Sequence, residues 1–306
     1  MCTALCIKNA KNNCFFGRNM DLHYNFNQSV MVIPKHYLWE HSKNNIIGMG
    51  TLINSHPMLA DGMNDKGLAC AGLNFPGNAY YEKNPQKGKI LIPPYDFIPW
   101  VLFNFDNTDE VKKAIAEIEL TDKSFNDSTP LPTLHWIISD KTGNSITVEK
   151  TRDSFKVYDN PVNVLTNNPA FDKQLENLDK YQSVSPASSE LGSGTTDLPG
   201  GVDSKSRFVR ISYLQKYLPT LENDEKAVSH FFHMLDFVKM PLGSVKNSEG
   251  ENAFTIYSSC MDLNKGIYYF KTYENNRINA VDIKKEISNE IKLFKYPEKQ
   301  DINYLN

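Results

Sequence analysis

The chain has 306 residues and lacks the features that would direct it to a membrane, a secreted scaffold or a nucleic acid. No stretch approaches the ~20 consecutive apolar residues of a spanning helix. The opening MCTALCIKNAKNNCFFGRNMD has no basic segment followed by an apolar run and a small-residue cleavage site, so a cytoplasmic location is expected. Cysteine is scarce. Cys2, Cys6, Cys14, Cys70 and Cys260 form no C-x-x-C pair, and an odd number closes no disulfide framework, so they read as free thiols. Charge of one sign is lacking too: the formal net charge is −3 with no basic block, which argues against nucleic acid as a partner. There is no H-E-x-x-H, P-loop, G-x-S-x-G or G-x-G-x-x-G, and neither a metal nor an organic cofactor is expected. His230 and His233 lie three apart on a helical stretch. The Phe231, Phe232, Met234 and Leu235 around them read as a packed helix rather than a metal site, and His135, beside Trp136, reads as a core histidine.

What is present suits an ordinary globular enzyme, with 40% hydrophobic and 23% charged residues. Residues 3–8 and 14–20 alternate around a polar turn, a hairpin that brings residue 2 opposite about residue 20. Residues 67–75 read as a buried strand ending on Asn74. A helical region is expected from Pro94 to about Leu120, with Thr108 capping its second half. Strands follow at 133–139, 145–150, 155–158 and 162–166, and helices at 170–181, 205–218 and 224–238. Two further strands, at 254–260 and 266–273, precede a charged tail. Strands and helices come in groups rather than alternating, which indicates an α+β layered fold, here taken as one domain over 1–306. The Ser- and Gly-rich stretch 183–204 reads as a long loop.

Cys2 stands apart by position. Initiator methionine is normally removed before a small second residue, leaving a thiol and an α-amine on one residue. Their ordinary pKa values, ~8.5 and ~8, let the amine take the thiol proton. Arg18 near the thiol would favour the thiolate and Asp21 would hold the amine. The same pair also suits an ion pair closing a strand, and spacing alone does not choose.

The ordered motifs Met1-Cys2-Thr3-Ala4, Gly17-Arg18-Asn19-Met20-Asp21, Ala60-Asp61-Gly62-Met63-Asn64, Leu73-Asn74-Phe75, Leu165-Thr166-Asn167-Asn168-Pro169 and Ser206-Arg207-Phe208 resemble the choloylglycine hydrolase family, over essentially the whole chain. That family contains bile salt hydrolases and penicillin V acylases. The resemblance implies a four-layer αββα sandwich of the N-terminal-nucleophile type, with no cofactor. It implies Cys2 as nucleophile and base, Asp21 holding the amine, Arg18 beside the thiol, Asn74 and Asn167 as oxyanion donors, and Arg207 in the charged wall. Asn rather than Tyr at position 74 points to conjugated bile salts, with penicillin V or another N-acyl amide as the alternative. A non-catalytic binder of amphipathic molecules is expected if Met1 is retained. Family pocket positions fall on Met20, Leu22, Ile53, Leu59, Ala60, Phe125 and Thr129. The family assembles as a tetramer partly through an arm that corresponds to 182–204. The arm is short here, as is the segment between Leu38 and Ile47, so a weakened homo-oligomer is expected.

Overall fold

A computed structural model describes residues 1–186, 194–295 and 299–306. Two sheets carry the fold. The first has seven strands. Val164–Leu165, Cys2–Lys8, Cys14–Leu22, Asn252–Asp262, Ile267–Thr272 and Asn279–Asp282 lie side by side, and Val245–Lys246 pairs at the start of Asn252–Asp262. The second has eight, in the order Phe155–Asp159, Ser145–Lys150, Leu134–Asp140, Leu68–Asn74, His56–Asn64, Ile46–Ile53, Ser29–Ile33 and Lys292–Phe294. Neighbouring strands in both sheets run antiparallel.

Residue alternation explains why the sheets stack. Along Leu68–Asn74, Ala69, Ala71 and Leu73 enter the core between the sheets, while Leu68 and Cys70 face the opposite way. Strands buried on both faces need a cover on each side. The helices Phe97–Asn104 and Thr108–Ile115 cover the eight-stranded sheet, and Ser204–Lys216 and Asp224–Asp236 cover the other. Phe171–Leu178 packs beside Ser204–Lys216. The result is the αββα sandwich that the resemblance implies. Among the described residues, no helix is long and apolar enough to cross a membrane.

Three expectations need correction. The helical region from Pro94 to Leu120 is two helices and a strand, Ile118–Leu120, that pairs in parallel with Ile90–Ile92. The second helix is capped by Asn107, whose side chain accepts the Glu110 main-chain N–H. Thr108 instead donates both its N–H and its hydroxyl to Asp140 Oδ2, which ties the helix to the sheet. The charged tail also contributes structure, because Lys292–Phe294 pairs with Ser29–Ile33 and covers that edge.

Candidate active site

The predicted hairpin forms with Cys2 opposite Met20 and Ala4 opposite Arg18. Residues paired across an antiparallel ladder share a face, so Cys2, Met20 and Arg18 point the same way, into the space between the sheets. Gly17 lets the next strand come close at this point, since a Cβ there would lie 2.0 Å from the Ser259 carbonyl oxygen.

Cys2 is 2% exposed and its Sγ lies 3.8 Å from Met20 Sδ. The Arg18 guanidinium, fully buried, reaches across to the other sheet, where it donates to the carbonyls of Ala60 (3.0 Å) and Gly72. Burial works against its charge, but Cys2, Tyr257, Asp61 and Asp21 outweigh that and hold its pKa above the ordinary arginine value. Asp61 receives the hydroxyls of Tyr257 and Tyr268, each at 2.6 Å. Burial pushes its carboxyl up, and Arg18 is the strongest opposing influence.

Arg207 approaches from the helix layer on the other face of the strand. It donates to the Cys2 carbonyl, to Thr3 Oγ1 at 2.6 Å and to Asn167 Oδ1 at 2.9 Å. Its burial lowers its pKa against the pull of Asp21 and Cys2. Asn167 Oδ1 also accepts the Cys2 N–H at 2.7 Å, and Asn167 Nδ2 donates to the Asn74 carbonyl at 2.7 Å. Those partners fix the amide's orientation, because Cys2 N–H and Arg207 can only donate and a carbonyl can only accept. One of the two Nδ2 protons is therefore uncommitted. Asn74 ends its strand exposed, with its Oδ1 accepting the Thr133 hydroxyl at 2.8 Å.

Asp21 sits beside the chain start. Met1 donates its amine to the Asp21 carbonyl (2.7 Å), and the Asp21 N–H donates back to the Met1 carbonyl (3.0 Å). Asp21 Oδ1 accepts the Thr255 hydroxyl at 2.6 Å. Asp21 Oδ2 is buried with no hydrogen-bond partner among the described residues, a costly state for a carboxylate oxygen.

The six residues singled out from the sequence, Cys2, Arg18, Asp21, Asn74, Asn167 and Arg207, thus meet around the start of one strand. Met1, Asp21 and Asn74 line a cavity of about 490 Å³. Of the expected pocket positions, Leu22 lines it and Met20 lies at the thiol. Ala60 contributes its carbonyl to Arg18, and Leu59 is buried in the core under the helices that cover the eight-stranded sheet. Ile53, Phe125 and Thr129 do not line this cavity; Phe125 packs against His56 and Tyr95 at ring separations of 5.2 and 5.5 Å. The cavity instead takes Val245, Lys246 and the turn at Asn247–Glu249, which sequence reading passed over. The only available signal was the turn composition Asn-Ser-Glu-Gly at 247–250. Asp61 was also passed over as a charge partner.

The other four thiols are buried, and burial raises the pKa of each, with Cys14 pushed up to about 11. His233 is exposed and His230 partly so; burial and His233 lower the His230 pKa. Among the described residues no cluster of three or more His, Cys, Asp or Glu is placed to hold a metal.

A sandwich of two antiparallel sheets between helices, with a cysteine at the head of a central strand and amide and guanidinium donors around it, defines a hydrolase acting on linear amides. Residues 2–294 match the model of the linear amide C–N hydrolases, choloylglycine hydrolase family, and the chain belongs to that family. It is 42% identical to a bile salt hydrolase/transferase of Clostridium perfringens, with both chains covered in full. It is 38% identical to a bile salt hydrolase/transferase of Lactiplantibacillus plantarum, with 99% of each chain covered. The crystal structure of a mutant conjugated bile acid hydrolase from Clostridium perfringens superposes with a TM-score of 0.93 at 41% identity, again over the whole of both chains.

Proposed function

We propose that the chain hydrolyses the amide bond of glycine- or taurine-conjugated bile salts, with Cys2 as the nucleophile once Met1 has been removed, and that residues 1–306 act as one domain. The observation that carries this reading is the mixed cavity at the Cys2 strand head. Leu22, Val245 and Ala253 offer apolar surface there, beside the acidic Asp21 and Glu249, polar groups such as Asn74 and Ser248, and Lys246, which makes no ion pair among the described residues. A steroid with an anionic side chain needs both the apolar surface and the cation. The full-length likeness to bile salt hydrolases supports the same choice.

The chemistry runs in two steps. Removal of Met1 turns the Cys2 amide nitrogen into an amine with further N–H donors, beside the unpartnered Asp21 Oδ2. The amine takes the thiol proton. The ammonium compensates the thiolate, and Arg18 adds its positive field from the inter-sheet side. The thiolate attacks the substrate carbonyl carbon. The oxyanion is held by the amide donors of Asn74 and Asn167, such donors being worth about 3–4 kcal/mol in comparable sites. The ammonium gives its proton to the leaving nitrogen as the C–N bond breaks, and the acyl group stays on Cys2 as a thioester. The amine then deprotonates a water that attacks the thioester, releasing the acid and restoring the thiol. Free thiols fit a cytoplasmic setting.

A product assay with a glycine-conjugated bile salt and penicillin V, run in parallel, tests the substrate. Release of glycine is expected at a kcat/KM at least about tenfold above that for penicillin V, the gap of about 1.4 kcal/mol that a well-placed polar contact supplies. The reverse ranking overturns the bile salt reading and leaves the amidase chemistry intact.

Self-association is proposed to be weaker than in family members with a full arm. Val184 and Leu198, two of the arm's three aliphatic anchors, turn onto their own chain, where they line a cavity with Tyr181 and Tyr213. The third, Leu191, lies outside the described residues. A stable interface buries on the order of 1,200–2,000 Å². Light scattering over a dilution series is expected to show a dimer, or a tetramer that dissociates; a tetramer persisting at nanomolar protein would show the arm to be dispensable.

A further inference from the structure

His135 and Glu149 form a pair at the heart of the molecule that the chemistry above does not use. His135 is completely buried and Glu149 is 2% exposed. His135 Nδ1 lies 2.9 Å from Glu149 Oε1, and His135 Nε2 lies 2.8 Å from the Thr166 carbonyl oxygen. Oxygens thus face both ring nitrogens, and a proton must lie on each N···O line. Glu149 also accepts the main-chain N–H of Phe171, at 3.0 Å to Oε1 and 3.2 Å to Oε2. The Phe75 ring stacks on the imidazole at 4.2 Å with the planes 5° apart.

Such a pair is a poor stabilising device. Stripping water from two strongly polar groups is costly, and apolar residues of similar volume generally fill the same space at no loss. Its location supplies a different reason. Thr166 immediately precedes Asn167, Phe171 opens the helix that follows it, and Phe75 immediately follows Asn74. One pair therefore holds both ends of the turn that presents Asn167 and touches the neighbour of Asn74. The bond to Thr166 also crosses between the sheets: His135 belongs to the eight-stranded sheet, and Thr166 leaves the Val164–Leu165 strand of the other. A carbonyl clamped along its own direction fixes the peptide plane between Thr166 and Asn167, and with it the origin of the Asn167 side chain.

We infer that His135 and Glu149 are positioning residues that set the Asn167 amide at the distance from Cys2 where it meets the oxyanion. This rests on the reading of Asn167 as an oxyanion donor. Oxyanion donors act in the transition state, so their displacement lowers kcat and leaves KM in place. A misplacement of about 1 Å costs on the order of 100-fold. Generation of the thiolate depends on Arg18, the α-amine and Asp21; the pair touches none of them directly and reaches the amine only through Asn167 Oδ1, which accepts the Cys2 N–H.

The experiment uses the processed full-length protein. His135→Phe keeps a ring against Phe75 and deletes both hydrogen bonds. It is expected to lower kcat about 100-fold, with KM within about threefold of the parent and the rate of Cys2 alkylation by iodoacetamide within about threefold of that in Asn167→Ala. Glu149→Gln preserves shape and is expected to lower kcat about tenfold with the same pattern. Asn167→Ala, run beside them, is expected to lose about 100- to 1,000-fold in kcat. If His135→Phe does not fold, the thermally stable Glu149→Gln protein decides. A folded variant of the pair with kcat within about twofold of the parent, while Asn167→Ala is crippled, overturns the positioning role alone. Unchanged kcat in Asn167→Ala overturns the oxyanion reading itself. Cys2 alkylation in a variant of the pair that falls more than about threefold below that of Asn167→Ala identifies the pair as generally structural and overturns the inference.

Discussion

Cys2→Ala is expected to lower amide hydrolysis by at least roughly 1,000-fold while the protein keeps its melting temperature within a few degrees. The side chain is small, and among the described residues its sulfur makes one polar contact, with Met20 Sδ, so truncation by a single atom removes little volume from the core. Cys2→Ser is expected to fail nearly as badly. The α-amine and a thiol have pKa values within about one unit of each other, whereas a serine hydroxyl lies far above both and yields its proton to the amine only at a steep cost. The other four cysteines do not substitute: each is buried in a strand and burial raises its pKa, so each stays a neutral thiol. Steady-state release of glycine from a conjugated bile salt, with thermal unfolding in parallel, measures both quantities. Residual activity in Cys2→Ala above one part in about a hundred would place the chemistry elsewhere.

Protein that keeps Met1 is expected to be inactive, with the active fraction equal to the fraction lacking Met1 in an intact-mass spectrum. In the chain with Met1 in place, Cys2 N is an amide nitrogen that donates to Asn167 Oδ1 and has no basic lone pair. Among the described residues, the groups named around the thiol do not replace the amine as base: Arg18 and Arg207 are cations, and Asp21 follows Met20 along the strand, so its side chain alternates to the face opposite the thiol. Preparations made with aminopeptidase activity blocked, then compared by mass and turnover, give the correlation directly. A preparation retaining Met1 completely and turning over at the full rate would remove the α-amine from the mechanism.

The parts of this site that were legible in the sequence are those set by local pattern. Strand alternation on either side of Asn9–Asn13 placed Cys2 against Met20 to within the register, and the buried run ending at Asn74 matches the strand Leu68–Asn74. Asn167 and Arg207 have no such pattern. Asn167 follows a strand of two residues, and Arg207 is one of several charges on a helix, so only the family resemblance singled them out. The cap of the second helix was assigned one residue late because Thr108 also has the chemistry of a cap; the choice fell to Asn107 once Asp140, from a distant strand, claimed the threonine. Asp61 and the Val245–Glu249 segment were missed for the same kind of reason. Their partners, Tyr257, Tyr268 and the first residues of the chain, are brought to them by the sheets and not by sequence neighbourhood.

The two hydrogen bonds between Met1 and Asp21 bear on when Met1 would have to leave on the proposed mechanism. They tie the amine and the carbonyl of the first residue to the neighbouring strand, with Met1 only partly exposed, so its removal is expected to be easier before the strands pair. Processing therefore competes with folding. The Cys2–Lys8 and Cys14–Leu22 hairpin is the only local support of this strand, and a lone hairpin is marginal in water. Its other neighbours are Val164–Leu165 on one side and, beyond the hairpin, Asn252–Asp262 on the other. Those segments leave the ribosome on the order of ten seconds or more after Cys2, at synthesis rates of about 5–20 residues per second. On the proposed mechanism, the long-range topology that builds the finished site also leaves the chain end without its sheet partners during synthesis, the interval in which removal of Met1 would expose the nucleophile.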